Sequence, residues 1–334
     1  MLRIRSLLFF SAFAISAAGV LTARAADVQK SAEPPYPAKP IRIILPLASG
    51  GSADALARMV GETLADTLGQ PVVIDNRPGA NGIIGVDLVV KAAPDGYTLL
   101  VASGGNIAIN PALYGAKLPF NVERDLIPLT LIATQSFVAH VSPAFSVKSI
   151  KELIALAHAK PGSINYASAG AGSTAHLMAV LFESLTGVRM THVPYKGAAQ
   201  GRVSVMSREC DAMFDGLLAA LPLIKAGKLR GLGVTGAKRS SVAPDIPTIA
   251  EAGVPGYSAD AWYGLFAPRG TSRFVAAKVS VTIIKSLQIP GKREKLIAQG
   301  VEPVGSTQEE FVPFLKAETV KWAKVVKAAG VKPD

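Results

Sequence analysis

A second cysteine is missing. Cys210 stands alone, so no intramolecular disulfide can form even in an oxidising compartment, and the chain must rely on its core. Metal-ligand spacings are missing too. There is no CxxC, no HExxH and no EF-hand loop, and the four histidines, His140, His158, His176 and His192, are scattered. No metal site and no cofactor are expected. Lys and Arg are spread without a dense basic run, which argues against a nucleic-acid partner despite a formal net charge of +11. A GxSxG nucleophile elbow is also absent, and no Ser, His, Asp order certifies a hydrolase. Beyond the N-terminus no long apolar run recurs.

What is present begins with MLRIRSLLFFSAFAISAAGVLTARA, residues 1–25. Arg3 and Arg5 precede an apolar centre, and small residues end it at Ala23-Arg24-Ala25. That layout predicts a secretory signal peptide cleaved near Ala25, and the short Ala- and Ser-rich centre suits it better than a membrane anchor. Export is therefore expected. The segment holds three arginines and no acid, so its removal takes the formal charge from +11 to +8 over the 309 residues left. Such a balance suits an anionic ligand or surface, or is no more than spread surface lysine. The remaining length suffices for two modest domains.

Residues 27–38 are Pro-rich and polar and read as a tether. Then a rhythm sets in. IRIILPL (41–47) predicts a strand and SGGS breaks it. Leu56, Met59, Val60, Leu64 and Leu68 then fall at helical spacing, with Gly69 as C-cap and Pro71 just beyond. PVVIDN predicts a strand, residues 79–93 a glycine-led helix, and YTLLVAS another strand. This is the rhythm of a mostly parallel sheet. It restarts after LTLIATQSFVAHVSP (129–143), an extended run too long for an ordinary strand. A helix at 149–159, the strand INYAS, and further candidates in RMTHVPY, ECDAMFDG, LLAALPLIKAGK and LRGLGVTG follow. An aromatic-rich extended piece, SADAWYGLFAP (258–268), leads to a tail of helices only. The expected fold is α/β, with two lobes joined by crossings near 135–142 and 258–266. Lobe 1 takes residues 34–136 and 263–334, and lobe 2, residues 137–262, is inserted in it. One continuous doubly wound sheet is the alternative.

Three strand ends carry glycine turns: PLASGGSAD (46–54), VASGGNIAINP (101–111) and ASAGAGSTAH (167–176). Ligands of open α/β sheets bind at the carboxyl ends of strands. Glycines let backbone N–H groups approach closely, and a following helix N-terminus adds orphan donors and partial positive charge. Such a site favours phosphate or carboxylate. Each turn alone is often just a cap. The third, Gly170 to Ala175, also fits the GxGxxA fingerprint of dinucleotide folds, but residues 189–197 offer no acid for a ribose. That reading is set aside. His176 shares a helix face with Ser173 and is badly placed to serve as its base. Asp215, ending a strand in MFDG, can be a base, a ligand acceptor or a loop cap. Trp262 and Tyr263 can wall an apolar or aromatic ligand, or simply pack the hinge.

The segments YPAKPIRIILPLASGGSADALAR, VVIDNRPGANGIIGVDLVVKAAPDGYTLL, NPALY, NYASAGAGSTAHLMAVLF, HVPYKGAAQ, PTIAEAGVPGY and WYGLFAP occur in a telling order. That order resembles the solute-binding receptors of tripartite tricarboxylate transporters, the Bug or TctC-like proteins. The similarity covers essentially the whole mature chain. It implies a periplasmic Venus-flytrap receptor, type II-like with two hinge crossings, capturing a small mono- or dicarboxylate without catalytic residues. It also implies membrane transporter subunits or a sensor kinase as partners, and a monomer is expected.

Position by position, the resemblance implies ligand-binding residues Ala48, Ser49, Gly50, Ser52 and Asp54 in a first loop (48–54). It implies Asn81 in a second (79–82) and Ser103 and Asn106 in a third (103–106). In the second lobe it implies Ser168, Ala169, Gly170, Gly172, Ser173 and Thr174, with Asp215 facing the cleft; Trp262 joins the candidates only as the aromatic wall named above. Many relatives have Pro or Ala where this chain has Ala48-Ser49 and Ser52-Ala53, so its first loop offers extra hydroxyls. The alternative class is a secreted hydrolase of a small carboxylate ester or amide.

Overall fold

The structure is a computed structural model that describes residues 36–50 and 52–331, so the expected signal peptide lies outside the described residues. The chain first lays down β1 (Ile41–Leu45), α1 (Ser52–Leu68), β2 (Val72–Asn76), α2 (Ile83–Val90), β3 (Thr98–Ser103), α3 (Asn110–Tyr114), α4 (Val122–Asp125) and β4 (Leu126–Gln135). It continues through β5 (Phe137–Val141), α5 (Ile150–Ala159), β6 (Asn165–Ser168), α6 (Thr174–Thr186), β7 (Thr191–Pro194), α7 (Ala198–Met206), β8 (Ala212–Gly216), α8 (Leu217–Lys225) and β9 (Arg230–Val234). β10 (Ala261–Pro268), α9 (Arg273–Leu287), α10 (Pro290–Ala298), β11 (Glu302–Pro303) and α11 (Gln308–Ala329) complete it.

Local chemistry explains most of these limits. β1 is an Ile-rich run buried at every position but Arg42, as suits an inner strand. α1 buries Leu56, Val60 and Leu64 and turns Arg58, Glu62 and Asp66 outward. Gly69 ends it at φ +72, a conformation that costs glycine nothing. Ser149 caps α5 by accepting from Glu152 N–H, and Thr307 with Glu310 forms a reciprocal capping box at the head of α11. Among the described residues no helix is long and apolar enough to cross a membrane.

The strands form two sheets, ordered β11-β4-β10-β3-β1-β2 and β7-β6-β8-β5-β9. A single continuous sheet is thereby excluded, and the fold is a two-lobe α/β arrangement with two crossings. The sheets are mixed, which corrects the expectation of mostly parallel pairing. β1 pairs in parallel with β2 and β3, and β6 with β7 and β8, whereas β10 runs antiparallel to β3 and β4, and β5 to β8 and β9. The cause is the crossings themselves. A chain that leaves the first sheet along β4 and re-enters along β10 must run in opposite directions on the two strands. The tail also departs from helices only: β11 returns to the sheet edge beside Thr134 and Ala133 of β4. Two residues are too few to leave a periodic signal. The short helices α3 and α4, and α7, likewise carry no sequence reading.

Candidate functional site

Ser136 is the only residue between β4 and β5, and the return crossing runs from Thr235 to Asp260. One cluster ties the crossings side by side. Phe137 N–H donates to Thr235 Oγ1 at 2.9 Å, and that hydroxyl donates to Asp260 Oδ1 at 3.0 Å. Burial pushes the Asp260 carboxyl up to about 6, against hydrogen bonds from the Ser136 and Thr235 hydroxyls and the nearby Lys321 charge. Asp260 lines a cavity of about 170 Å³ with Ser103, Gln135, Phe137, Thr174, Trp262 and others, drawn from both sheets.

Two further cavities lie along the same turn, the second of them sharing Phe137 and Thr174 with the 170 Å³ cavity and Ala169 and Ser173 with the other. One of about 390 Å³ is lined by Ala80, Asn81 and Tyr114 from one side and Ala169, Gly172 and Ser173 from the other. Another of about 340 Å³ is lined by Phe137, Ala169, Ser173, Thr174, Arg202 and Asp215. Ser173 and Thr174, at the head of α6, are common ground.

The turn at 168–174 is built from within. Gly170 and Gly172 sit at φ +126 and +71, where a side chain would be strained. Gly170 N–H donates to Ser168 Oγ at 3.1 Å, Gly172 N–H to His176 Nδ1 at 3.0 Å, and Ser173 N–H to Gly170 O at 3.2 Å. The N–H groups of Gly170 and Gly172 are thus engaged within the turn and shape it. The orphan donors are the N–H groups of Thr174 and Ala175 in the first turn of α6. Ser173 Oγ accepts from His176 N–H at 3.3 Å, which leaves its own proton free to donate. Behind the turn, His176 and His192 stack at 3.8 Å with 5° between planes, and Ser168 Oγ lies 2.6 Å from His192 Nε2. Burial lowers both imidazoles, His176 to about 4 with His192 contributing. Ser168 is fully buried and braces the turn from behind.

The first-lobe loops are braced in the same way. Asp54 is buried and accepts from Gly50 N–H at 3.1 Å, Asn76 Nδ2 at 3.0 Å and Arg58 Nε at 3.0 Å. Burial alone would raise its carboxyl, but these partners hold it below the usual range. Asp54 thus ties its own loop. Ala48, Ser49 and Gly50 are exposed at the tip, and the side chain of Ser52 lies outside the description. Asn106 is buried too. Its Oδ1 accepts from Ser103 N–H at 3.1 Å and Ser103 Oγ at 2.8 Å, while its Nδ2 donates to Asn81 O at 3.0 Å. Asn110 donates to the same carbonyl at 3.0 Å and accepts from Asn81 Nδ2 at 2.8 Å. This network holds Ala80 and Asn81 at φ +45 and +53. Non-glycine residues in that region cost of order 1–3 kcal/mol each and persist where their surroundings over-determine them.

Asp215, expected to face the cleft, lines the 340 Å³ cavity and is only 1% exposed. It accepts from Arg202 Nε at 2.5 Å and Nη2 at 3.1 Å and from Gly216 N–H at 2.8 Å, with His140 Nε2 at 3.6 Å. Burial pushes its carboxyl up, and His140 and Arg202 outweigh that and hold it low. Arg202 lines the same cavity and is the more exposed of the pair. Trp262 serves cavity and hinge together. It lines the 170 Å³ cavity, donates from Nε1 to Glu318 Oε2 at 3.0 Å, and meets Phe311 and Phe314 edge-on. Gly104 permits this, since a Cβ there would lie 2.6 Å from Trp262 Nε1.

Residues 56–331 match the model of the tripartite tricarboxylate transporter family receptor, TctC. The chain belongs to that family of periplasmic solute-binding receptors. BugT of Bordetella pertussis is 36% identical to the receptor over 319 residues, covering 95% of each chain. Rpa4515 of R. palustris, solved with adipate, is 36% identical and superposes with a TM-score of 0.76 over 90% of this chain and all of its own. MatC (Rpa3494) from Rhodopseudomonas palustris, solved with bound malate, is 31% identical with a TM-score of 0.72 over 87% of this chain and all of its own.

In this receptor, Ser103, Thr174 and Trp262 meet in one cavity, Asn81, Ala169, Gly172 and Ser173 in the second, and Ala169, Ser173, Thr174 and Asp215 in the third. Asp54, Asn106 and Ser168 stand behind as braces. Sequence reasoning missed Gln135, Asp260, Tyr114 and Arg202. Arg202 alone left a trace, as a lone arginine in the otherwise small and polar run KGAAQGR.

Proposed function

We propose that the receptor captures a small mono- or dicarboxylate between its lobes and presents it to membrane transporter subunits or a sensor kinase. Lobe 1 comprises residues 34–136 and 263–334, and lobe 2 comprises residues 137–262. The division of strands between two sheets supports these limits, although β10 already joins the first sheet at Ala261. The observation that carries the reading is the meeting of three cavities at Ser173 and Thr174. There a helix start with orphan N–H donors and free hydroxyl protons favours an anion. The neighbours solved with adipate and malate fit that chemistry. For the hydrolase alternative, the Ser–His pair within hydrogen-bond reach is Ser168 with His192, and Ser168 is fully buried.

A thermal-shift screen of the mature protein against a carboxylate library tests this. Ligand at about a hundred times Kd adds about 2.7 kcal/mol to the native state, which raises Tm by roughly 4 °C for a chain of this size. Silence across the library, with turnover of small esters or amides, would favour the hydrolase.

A further inference from the structure

Arg202, midway along α7, is the one guanidinium lining the three cavities. Its partner holds it by one edge. Asp215 takes Nε and Nη2, is itself anchored by Gly216 N–H, and is almost wholly buried, whereas the Arg202 side chain keeps 17% exposure. A guanidinium carries five N–H donors in a fixed planar fork, so this pairing leaves the Nη1 donors unengaged and the fork held in one plane. Both of its contacts among the described residues go to Asp215. The same cavity is lined by Ala169, Ser173 and Thr174 at the start of α6. One cavity of about 340 Å³ therefore has two features that attract anions, on different elements.

We propose that Arg202 receives a second anionic group of the ligand, with Asp215 as the positioning residue that aims it, so that the receptor prefers dicarboxylates to monocarboxylates. The inference rests on the reading that a first carboxylate is held at Ser173 and Thr174. The two roles divide cleanly by depth. The buried carboxylate fixes the fork, and the more exposed cation meets the ligand, where a planar carboxylate can take two parallel N–H donors. Asp215 cannot itself accept a ligand donor without giving up Arg202.

Calorimetric titration of the full mature chain with succinate, glutarate and adipate, against butyrate, valerate and hexanoate, tests the proposal. Arg202→Gln is expected to weaken the best dicarboxylate roughly 10- to 150-fold, the value of a hydrogen bond to a charged group, and to leave its length-matched monocarboxylate within about threefold. Arg202→Lys should recover part of the preference, because a point charge attracts without the fork. Arg202→Gln leaves Asp215 without its cation, so the double variant R202Q/D215N is the control for folding. It should melt like wild type and show the same loss of preference. Wild type that binds both series equally, or variants that keep the wild-type ratio, would overturn the role of Arg202 while leaving the first carboxylate site standing. Wild type that binds neither series overturns both.

Discussion

Asp260 is the residue whose protonation most directly concerns the hinge. Its carboxyl is raised from 3.8 to about 6 because burial outweighs the hydrogen bonds of Ser136 and Thr235 and the Lys321 charge, while Glu318 pushes the same way as burial. Between those values the native state keeps a proton that the unfolded chain has released. The stabilisation is fully present below 3.8 and is lost as pH rises through about 6. Two units correspond to about 3 kcal/mol at most. Asp260→Asn keeps an acceptor for Thr235 and removes the titration, so its Tm should gain on wild type as pH climbs from about 5 to about 7.5. His176 has the opposite sign, since burial lowers it to about 4 and its contribution is lost as pH falls through that value. It is common to both proteins and cancels in the difference. Scanning calorimetry that found a constant difference in Tm would show that Asp260 does not titrate in this window.

At the scale of elements, the turn before α6 was legible because its signals are local. Glycines followed by Ser173 and Thr174 announce a helix start, and Ser173 does cap it. How the turn spends its donors was not legible. That depends on His176 one turn along the helix and on Ser168 behind it, both oriented by His192 from β7. The same limit hid the brace on the first-lobe loops, where Asn110 answers Asn81 across 29 positions. Ser173→Ala removes the proposed ligand donor and the cap together, and is expected to weaken carboxylate binding roughly 10- to 150-fold. Ser173→Asp separates the two functions. An aspartate still caps α6, so the melting temperature should hold, while its charge repels or replaces the ligand carboxylate. Calorimetry that found the Asp variant binding like wild type would make the turn a cap only, with the ligand elsewhere.

For the whole molecule, the alternation of strand and helix revealed an α/β chain, and two long extended runs marked where it changes sheet. Direction was hidden. Nothing in LTLIATQSFVAHVSP says that it breaks at Ser136, or that its halves lie antiparallel to β10 in one sheet and to β8 and β9 in the other. Those pairings join residues more than a hundred positions apart in the case of β4 and β10, and only the folded crossings create them. The same crossings make a closing motion the natural consequence. Two strand connections tied at Phe137, Thr235 and Asp260 form a narrow hinge between sheets, and the cavities lined by Thr174 and by Ser173 draw on both sides of it. Small-angle scattering of the mature protein, with and without a dicarboxylate that calorimetry shows to be saturating, tests this most directly. The radius of gyration is predicted to fall when the ligand is bound. Superimposable profiles at saturation would contradict capture by closure of the lobes.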